Sequence, residues 1–231
     1  MKEHPILFSA PMIKAILAGQ KTVTRRVCKV QPIEDDGLWN VFYPWGEGGH
    51  GIYKTESEMR DEFDRLMFAH NPYGTVGDRL WVRETWRTDT REGDCCSGIR
   101  FRADDAFVEI KNSREGADLW VEAHDNGKHG VDWRPSIFMR PWMCRIRLEI
   151  TDVRIEQLQS ITEEQAKAEG AAHRISPGGD LAGAFDGIDT PIGYRNHFRD
   201  LWDGINGKKA PWKDNPWVWV VAFKRVEASN G

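Results

Sequence analysis

The residues best suited to chemistry lie in one short segment, Gly19-Gln20-Lys21-Thr22-Val23-Thr24-Arg25-Arg26. In this segment a lysine, two threonines and two arginines follow a glycine that can end a helix in the left-handed conformation. A junction between a helix and a strand needs the glycine and the β-branched residues, but it does not need three cations. A cluster of this kind suits a phosphate, a carboxylate or a nucleobase carbonyl.

Lys21 and Thr24 are the two residues of the segment whose relative placement matters most. If Lys21 is buried, burial and the neighbouring Arg25 and Arg26 lower its pKa. Because side chains alternate along a strand, Lys21 and Thr24 can share a pocket only if Lys21 lies in the turn that follows Gly19.

The pattern Gly19-x-Lys21-x-x-Thr24-x-Arg26 resembles the signature of the ASCH family, small β-barrel domains of the PUA-like superfamily that are associated with RNA and modified nucleosides. Four further segments resemble segments of phage-encoded ASCH proteins and occur in the same order along the chain. These are Pro5–Pro11, Gly77–Trp86, Trp133–Ile137 and Asn215–Val220. The resemblance implies an α+β fold, a PUA-like small mixed β-barrel with flanking helices. It also implies a single domain over residues 1–231 with large insertions at about 30–76 and 88–130.

One ASCH subfamily hydrolyses the acetyl amide of N4-acetylcytidine with the lysine and threonine of the signature and a glutamate on a later helix. Those two positions correspond here to Lys21 and Thr24. The later motif, Thr-Glu-x-x-Ala-x-x-Glu, matches the segment from Thr162 to Glu169. The resemblance therefore implies an amidohydrolase in which Thr24 is the nucleophile, Lys21 the base and Glu169 the proton carrier. This chain is longer than those compact enzymes, so its insertions can cap or reshape the pocket.

A second set of residues is expected to contact the substrate. Arginine can bind a base edge or a phosphate with its forked donors, and an aromatic ring can stack on a base. Most of the eleven tryptophans should lie in the core. The predicted binding residues are Arg26, Trp86, Trp133, Arg134 and Ser136.

Two other functions stay open at this point. The chain could be an RNA-binding or RNA-cleaving module, or it could read a modified base without chemistry. The net charge of −4 argues against nonspecific coating of nucleic acid, which depends on many cations. The expected partner is a modified nucleoside or RNA, with no obligate protein partner.

The sequence indicates no metal and no cofactor. Its four cysteines include the vicinal pair Cys95-Cys96 but form no CxxC motif. His124 and His129 flank a stretch that reads as a hairpin turn, which is typical of surface residues. No apolar run suits a membrane span, and no targeting segment is evident. We expect a soluble, cytoplasmic protein.

Hydrophobic periodicity and capping signals predict the elements around these residues. Ser9 and Pro11 start a short helix, and Thr162 with Gln165 forms a capping box for a helix that ends at Gly170. Arg83 and Glu84 could form an ion pair. Other predicted helices cover Glu56–Phe68 and a stretch whose apolar face holds Tyr194, Phe198, Leu201, Trp202 and Ile205. Predicted strands cover 21–29, 80–82, 99–103, 119–123, 145–155 and a central strand at 217–226.

Overall fold

The computed structural model describes residues 1–44, 49–90, 97–110, 114, 116–118, 121, 132–171, 174–176 and 190–226. The chain divides into two compact units. The first unit comprises Met1–Gly19, Gly77–Glu149 and Lys224–Gly231. The second unit comprises Gln20–Val76 and Ile150–Phe223. The two expected insertions therefore fall in different units, 88–130 in the first and 30–76 in the second.

Strands and helices are mixed along the described residues. In chain order the strands are β1 (Glu3–Leu7), β2 (Val23–Val27), β3 (Ile33–Asp35), β4 (Leu38–Phe42), β5 (His50–Tyr53), β6 (Arg79–Arg83), β7 (Trp86–Thr90), β8 (Ser97–Phe101), β9 (Phe107–Glu109), β10 (Arg147–Gln157), β11 (Arg174–Ser176), β12 (Thr190–Ile192) and β13 (Trp217–Val226). The helices include α1 (Ala10–Leu17), α2 (Glu56–Ala69), α3 (Glu163–Ala168) and α4 (Tyr194–Asn206).

In the first unit, β6 lies between two partner strands. β1 pairs with it in parallel, with Ile6 opposite Val82, and the start of β10 pairs with it antiparallel, with Leu148 opposite Leu80. A separate antiparallel sheet has the order β7-β8-β9. The apolar core of this unit contains Trp81, Trp86, Ile99, Phe101, Met139, Met143 and Cys144.

In the second unit, β13 lies between β10 and β2. It pairs antiparallel with β2, with Val221 opposite Thr24, and its residues from Trp217 to Val221 are all buried. This unit also holds the antiparallel sheet β3-β4-β5 and the hairpin β11-β12. Its core contains Val23, Leu158, Ile161, Ala166, Ala171, Phe198, Trp202, Val218 and Val220.

Several predicted elements are confirmed. α1 has a proline in its first turn, and α2 covers the predicted helix with one further residue. Both hydrogen bonds of the capping box that starts α3 are present. β8 and β10 match the strands predicted at 99–103 and 145–155 to within two residues. Of the strand predicted at 119–123, the structure describes only Val121, and Val121 is helical.

Three expectations are corrected. Phe198 and Trp202 are buried, but Leu201 is 42% and Ile205 is 60% exposed, so the apolar face of α4 is narrower than predicted. The carboxylate of Glu84 accepts hydrogen bonds from Arg145 rather than from the adjacent arginine. The mixed α+β class is confirmed, but the sheets of the described residues include no closed barrel.

None of the helices in the described part of the chain combines the length and the apolar character that crossing a bilayer requires.

Candidate functional site

The turn before β2 places Lys21 outside regular strand geometry. α1 ends where the Gly19 N–H donates to the carbonyl of Ile16 at 3.0 Å, and Gly19 has a φ of +71°, which favours glycine. β2 begins only at Val23. Lys21 therefore occupies the position in the turn that a shared site requires.

The end of α3 places Glu169. Ala166 of this helix is fully buried in the core of the second unit, which fixes the helix against the sheet. Glu169 is the C-cap residue, and Gly170 then turns the chain with a φ of +85°. Backbone contacts join this end to the turn before β2, because Lys21 and Glu169 form an isolated β-bridge and Thr22 N–H donates to the carbonyl of Ala168 at 2.8 Å.

Lys21 and Glu169 make direct contact through their side chains. Nζ of Lys21 donates to Oε2 of Glu169 at 2.6 Å and to the carbonyl of Glu169 at 2.8 Å. It also donates to the carbonyl of Val23 at 2.8 Å. The side chain of Lys21 has no exposed surface, and that of Glu169 is 5% exposed. A lysine ammonium has three N–H donors, and these three acceptors match them.

Arg25 extends the same cluster. Its Nη1 donates to Oε1 of Glu169 at 3.3 Å, and its Nη2 donates to Gln165 at 2.9 Å and to Glu156 at 3.3 Å. The guanidinium is fully buried. The cluster of Lys21, Arg25, Glu156 and Glu169 thus pairs two cations with two carboxylates, which limits the cost of removing their charges from water.

Burial lowers the pKa of Lys21, because the ammonium loses its hydration. The adjacent Glu169 carboxylate opposes this shift, whereas the positive charges of Arg26 and Arg25 reinforce it. The net direction is downward from the ordinary lysine value of 10.5. A larger fraction of Lys21 is therefore neutral at a given pH than for a solvated lysine, as a general base needs.

Thr24 lies in β2 and is 2% exposed. Because strand side chains alternate, Thr24 points to the opposite face of β2 from Arg25, which contacts Glu169. Arg26 is half-buried in the same strand, opposite Trp219. The structure brings Lys21 and Glu169 together, and the role of Thr24 as nucleophile stays a prediction.

The other predicted binding residues belong to the first unit. Trp86 is 1% exposed and packs in the core of that unit, so its ring can stack on a base only after this packing opens. Trp86 and Arg134 exchange backbone hydrogen bonds at 3.2 and 2.7 Å. Trp133 is half-buried, with the Arg87 guanidinium 4.9 Å from its ring centroid. Ser136 begins a 3₁₀ turn. The role of these residues in binding stays a prediction.

Sequence reasoning missed two residues that accept hydrogen bonds from Arg25. Gln165 was recognised as a capping residue, but its Oε1 accepts from both Thr162 N–H and Arg25. Glu156 lies in β10 without any sequence motif that would have marked it. The burial of Arg25 could have been predicted. It lies two residues after Val23, and alternation along a strand places both side chains on the same face of β2.

The described residues contain no group of three or more His, Cys, Asp or Glu side chains that could hold a metal ion. Of the residues considered for metal or redox roles, Cys95, Cys96, His124 and His129 lie outside the described residues.

Comparison with known proteins gives no match, either to a family model or to a curated protein or solved structure. The case for a function therefore depends on the residues and contacts described above.

Proposed function

We propose that this chain is an ASCH-type protein that hydrolyses an N-acyl amide of a modified nucleoside such as N4-acetylcytidine. The observation that carries the proposal is the 2.6 Å hydrogen bond between Lys21 Nζ and Glu169 Oε2, residues 148 positions apart. The signature and the later helix are the two places where the resemblance locates catalytic groups. Direct contact between their side chains supports a common site.

In the proposed reaction, the neutral amine of Lys21 accepts the hydroxyl proton of Thr24 as the Thr24 oxygen bonds to the acyl carbon. The Lys21 ammonium passes a proton to Glu169, which delivers it to the departing nitrogen as the C–N bond breaks. Water then hydrolyses the acyl ester on Thr24, which releases the carboxylic acid and restores the hydroxyl. Arg26 donates to the substrate from the Thr24 side of β2.

The burial of Lys21 sets a condition on this reaction. Its Nζ has no exposed surface and donates to three protein acceptors. Substrate binding must therefore open the cover over Lys21 and exchange at least one of these hydrogen bonds. It must also bring Nζ to the Thr24 hydroxyl, which points to the opposite face of β2 from Arg25. The same burial keeps water away from the amine before the substrate arrives, and this maintains its lowered pKa.

The test is release of cytidine from N4-acetylcytidine, followed by chromatography. Wild type should turn over, and Lys21→Met, Thr24→Val and Glu169→Gln should each reduce kcat by at least about 100-fold. Matched controls are Lys29→Met, Thr22→Val and Glu164→Gln, because these three side chains are exposed. Full activity in folded Lys21→Met would remove Lys21 from the mechanism. Tight binding of the nucleoside without turnover would favour a reader of modified bases.

RNA binding is the second candidate, and an arginine stacked on a half-buried aromatic ring in the first unit favours it. The guanidinium of Arg87 lies 4.9 Å from the Trp133 ring centroid. Proteins that bind single strands use cationic and aromatic side chains together, the first for phosphates and the second for base stacking. If RNA binds through phosphate contacts, its affinity should fall steeply with salt. A flat salt response would exclude this candidate.

A further inference from the structure

The sheet β3-β4-β5 of the second unit has two faces of different character. β4 and β5 pack against α2, and Val41 on β4 is fully buried. Residues on either side of Val41 point to the other face, because side chains alternate along a strand. We call this second face the outer face, and it consists of Ile33, Asp35, Leu38, Asn40, Phe42, His50 and Ile52.

Strand register aligns the outer face in rows. Ile33 and Ile52 lie opposite Asn40, one on each side. Phe42 lies opposite His50. Asp35 lies opposite Leu38. The rows therefore run from β3 across β4 to β5, with Asn40 at the centre of the face and apolar side chains around it.

The apolar side chains of the outer face are exposed to an unusual degree. Ile33 is 54%, Leu38 39%, Phe42 58% and Ile52 59% exposed. Single exposed apolar residues are ordinary on a protein surface, but four on one sheet face form a patch of the kind that marks an interaction site.

Part of this face is already ordered. The rings of Phe42 and His50 stack with centroids 4.2 Å apart and an interplanar angle of 6°. His50 Nε2 also lies 3.1 Å from Oδ1 of Asn40. Side chains that hold each other in place lose less entropy when a partner packs on them. Binding at this face therefore has a smaller entropic cost.

Charge at the two edges indicates which partner fits. Asp35 stands exposed at the β3 edge, and Lys54, the first residue after β5, is exposed at the β5 edge. A two-fold axis parallel to β4 would lay the β3 edge of one copy over the β5 edge of another. Asp35 would then meet Lys54 of the second copy, and Ile33 would meet its Ile52. The face is therefore complementary to itself, as an isologous interface must be.

We propose that the outer face binds a second copy of this chain, face to face, as a two-fold symmetric dimer. Leu38, Asn40 and Phe42 lie at the axis, and each faces its counterpart in the other copy. The two Asp35–Lys54 pairs close the edges and fix the orientation of the copies. This inference concerns assembly and does not depend on the proposed amidohydrolase activity.

Sedimentation velocity across a range of protein concentrations tests the dimer. Wild type should reach twice the chain mass of 26.5 kDa. Phe42→Glu should be monomeric, because two carboxylates would face each other at the axis. Val108→Glu is the control, since Val108 is also exposed, at 40%, but lies in the first unit. Circular dichroism checks that each variant is folded.

Charge reversal tests the orientation. Asp35→Lys and Lys54→Asp should each weaken the dimer by about tenfold, because each places like charges together at both edges. The double variant should regain wild-type affinity to within about threefold. A wild type that is monomeric at all concentrations would overturn the proposal, even if it binds RNA or another protein. A dimer that Phe42→Glu leaves intact would overturn it as well.

Discussion

Lys21 donates to both the carboxylate and the carbonyl of Glu169, at 2.6 and 2.8 Å. One side chain thus fastens the turn before β2 to the end of α3. A carboxylate at a helix C-terminus faces the negative end of the helix dipole, so Glu169 needs nearby cations, which Lys21 and Arg25 supply. This contact has a structural role, and it is also the basis of the proposed catalytic role. Stability measurements test the first role, and turnover measurements test the second.

Replacing Glu169 by Gln should lower the free energy of unfolding by about 3–5 kcal/mol. The substitution keeps the size of the side chain but removes the carboxylate that the buried Lys21 contacts, and it leaves Arg25 with Glu156. Urea denaturation followed by tryptophan fluorescence measures the change.

Glu156→Gln is the matched control for that substitution. Glu156 contacts the same guanidinium at 3.3 Å, but its side chain is 22% exposed, so water can replace much of the interaction. The expected loss is about 1 kcal/mol or less. Equal losses for the two variants would contradict the idea that buried charge at Glu169 organises the cluster.

The pH dependence of turnover should report on Lys21. Because the pKa of Lys21 is lowered in the folded protein, the neutral amine becomes available below the ordinary value of 10.5, and kcat/KM should rise with pH until Lys21 is deprotonated. Stability should rise as well between the lowered pKa and 10.5, because the unfolded chain then binds the extra proton. Profiles from about pH 6 to about pH 10 test both. A kcat/KM that falls as the pH rises across this range would argue against neutral Lys21 as the base.

Glu84 should be the corresponding stabilising carboxylate in the first unit. It has no exposed side-chain surface, and its two oxygens accept from Arg145 at 2.9 and 2.6 Å. Glu84→Gln should cost about 1–3 kcal/mol, because it weakens the buried hydrogen bonds to Arg145 while Asp104 still pairs with the guanidinium. Asp105→Asn is the control, since Asp105 pairs with Arg100 but is 75% exposed. Chemical denaturation should find a loss of about 1 kcal/mol or less for the control.

Cys28 and Cys144 should be inert in the folded protein. Burial raises the pKa of the Cys28 thiol to about 12 and also raises that of Cys144, and the thiolate is the reactive form. In a Cys95→Ser, Cys96→Ser background, a thiol reagent at neutral pH should react only after denaturant is added. Rapid reaction of two thiols under native conditions would contradict the burial of both residues.

Gly19 should resist substitution for a conformational reason. Its φ is +71°, and an added Cβ would meet nothing within 4 Å, so Gly19→Ala should lose about 1 kcal/mol of stability from backbone strain alone. Gly204 in α4 has equally open surroundings but no positive φ, so Gly204→Ala should gain about 0.5–1 kcal/mol. Thermal unfolding of the two variants should shift in opposite directions.

The sequence predicted those parts of the site that local rules determine. The capping box fixed the start of α3, and a glycine after α1 and another after Glu169 marked the turns that bring Lys21 and Glu169 together. Each of these signals acts within a few residues. The contact itself was expected only from the resemblance.

Long-range packing determined what the sequence could not predict. Glu156 joins the cluster because β10 passes beside Arg25, and no pattern within β10 signals this. Leu201 and Ile205 fit the apolar face of a helix, yet their burial depends on whether another element covers them. In the same way, Glu84 accepts hydrogen bonds from Arg145, which is 61 positions away, rather than from the adjacent Arg83.

The most direct test of the proposed function is the kcat/KM for cytidine release from N4-acetylcytidine, measured for wild type and for Lys21→Met under conditions where circular dichroism shows both to be folded. The account predicts turnover by wild type and a loss of at least about 100-fold in the variant, with Lys29→Met unchanged. Absence of cytidine release by the folded wild-type protein would contradict it.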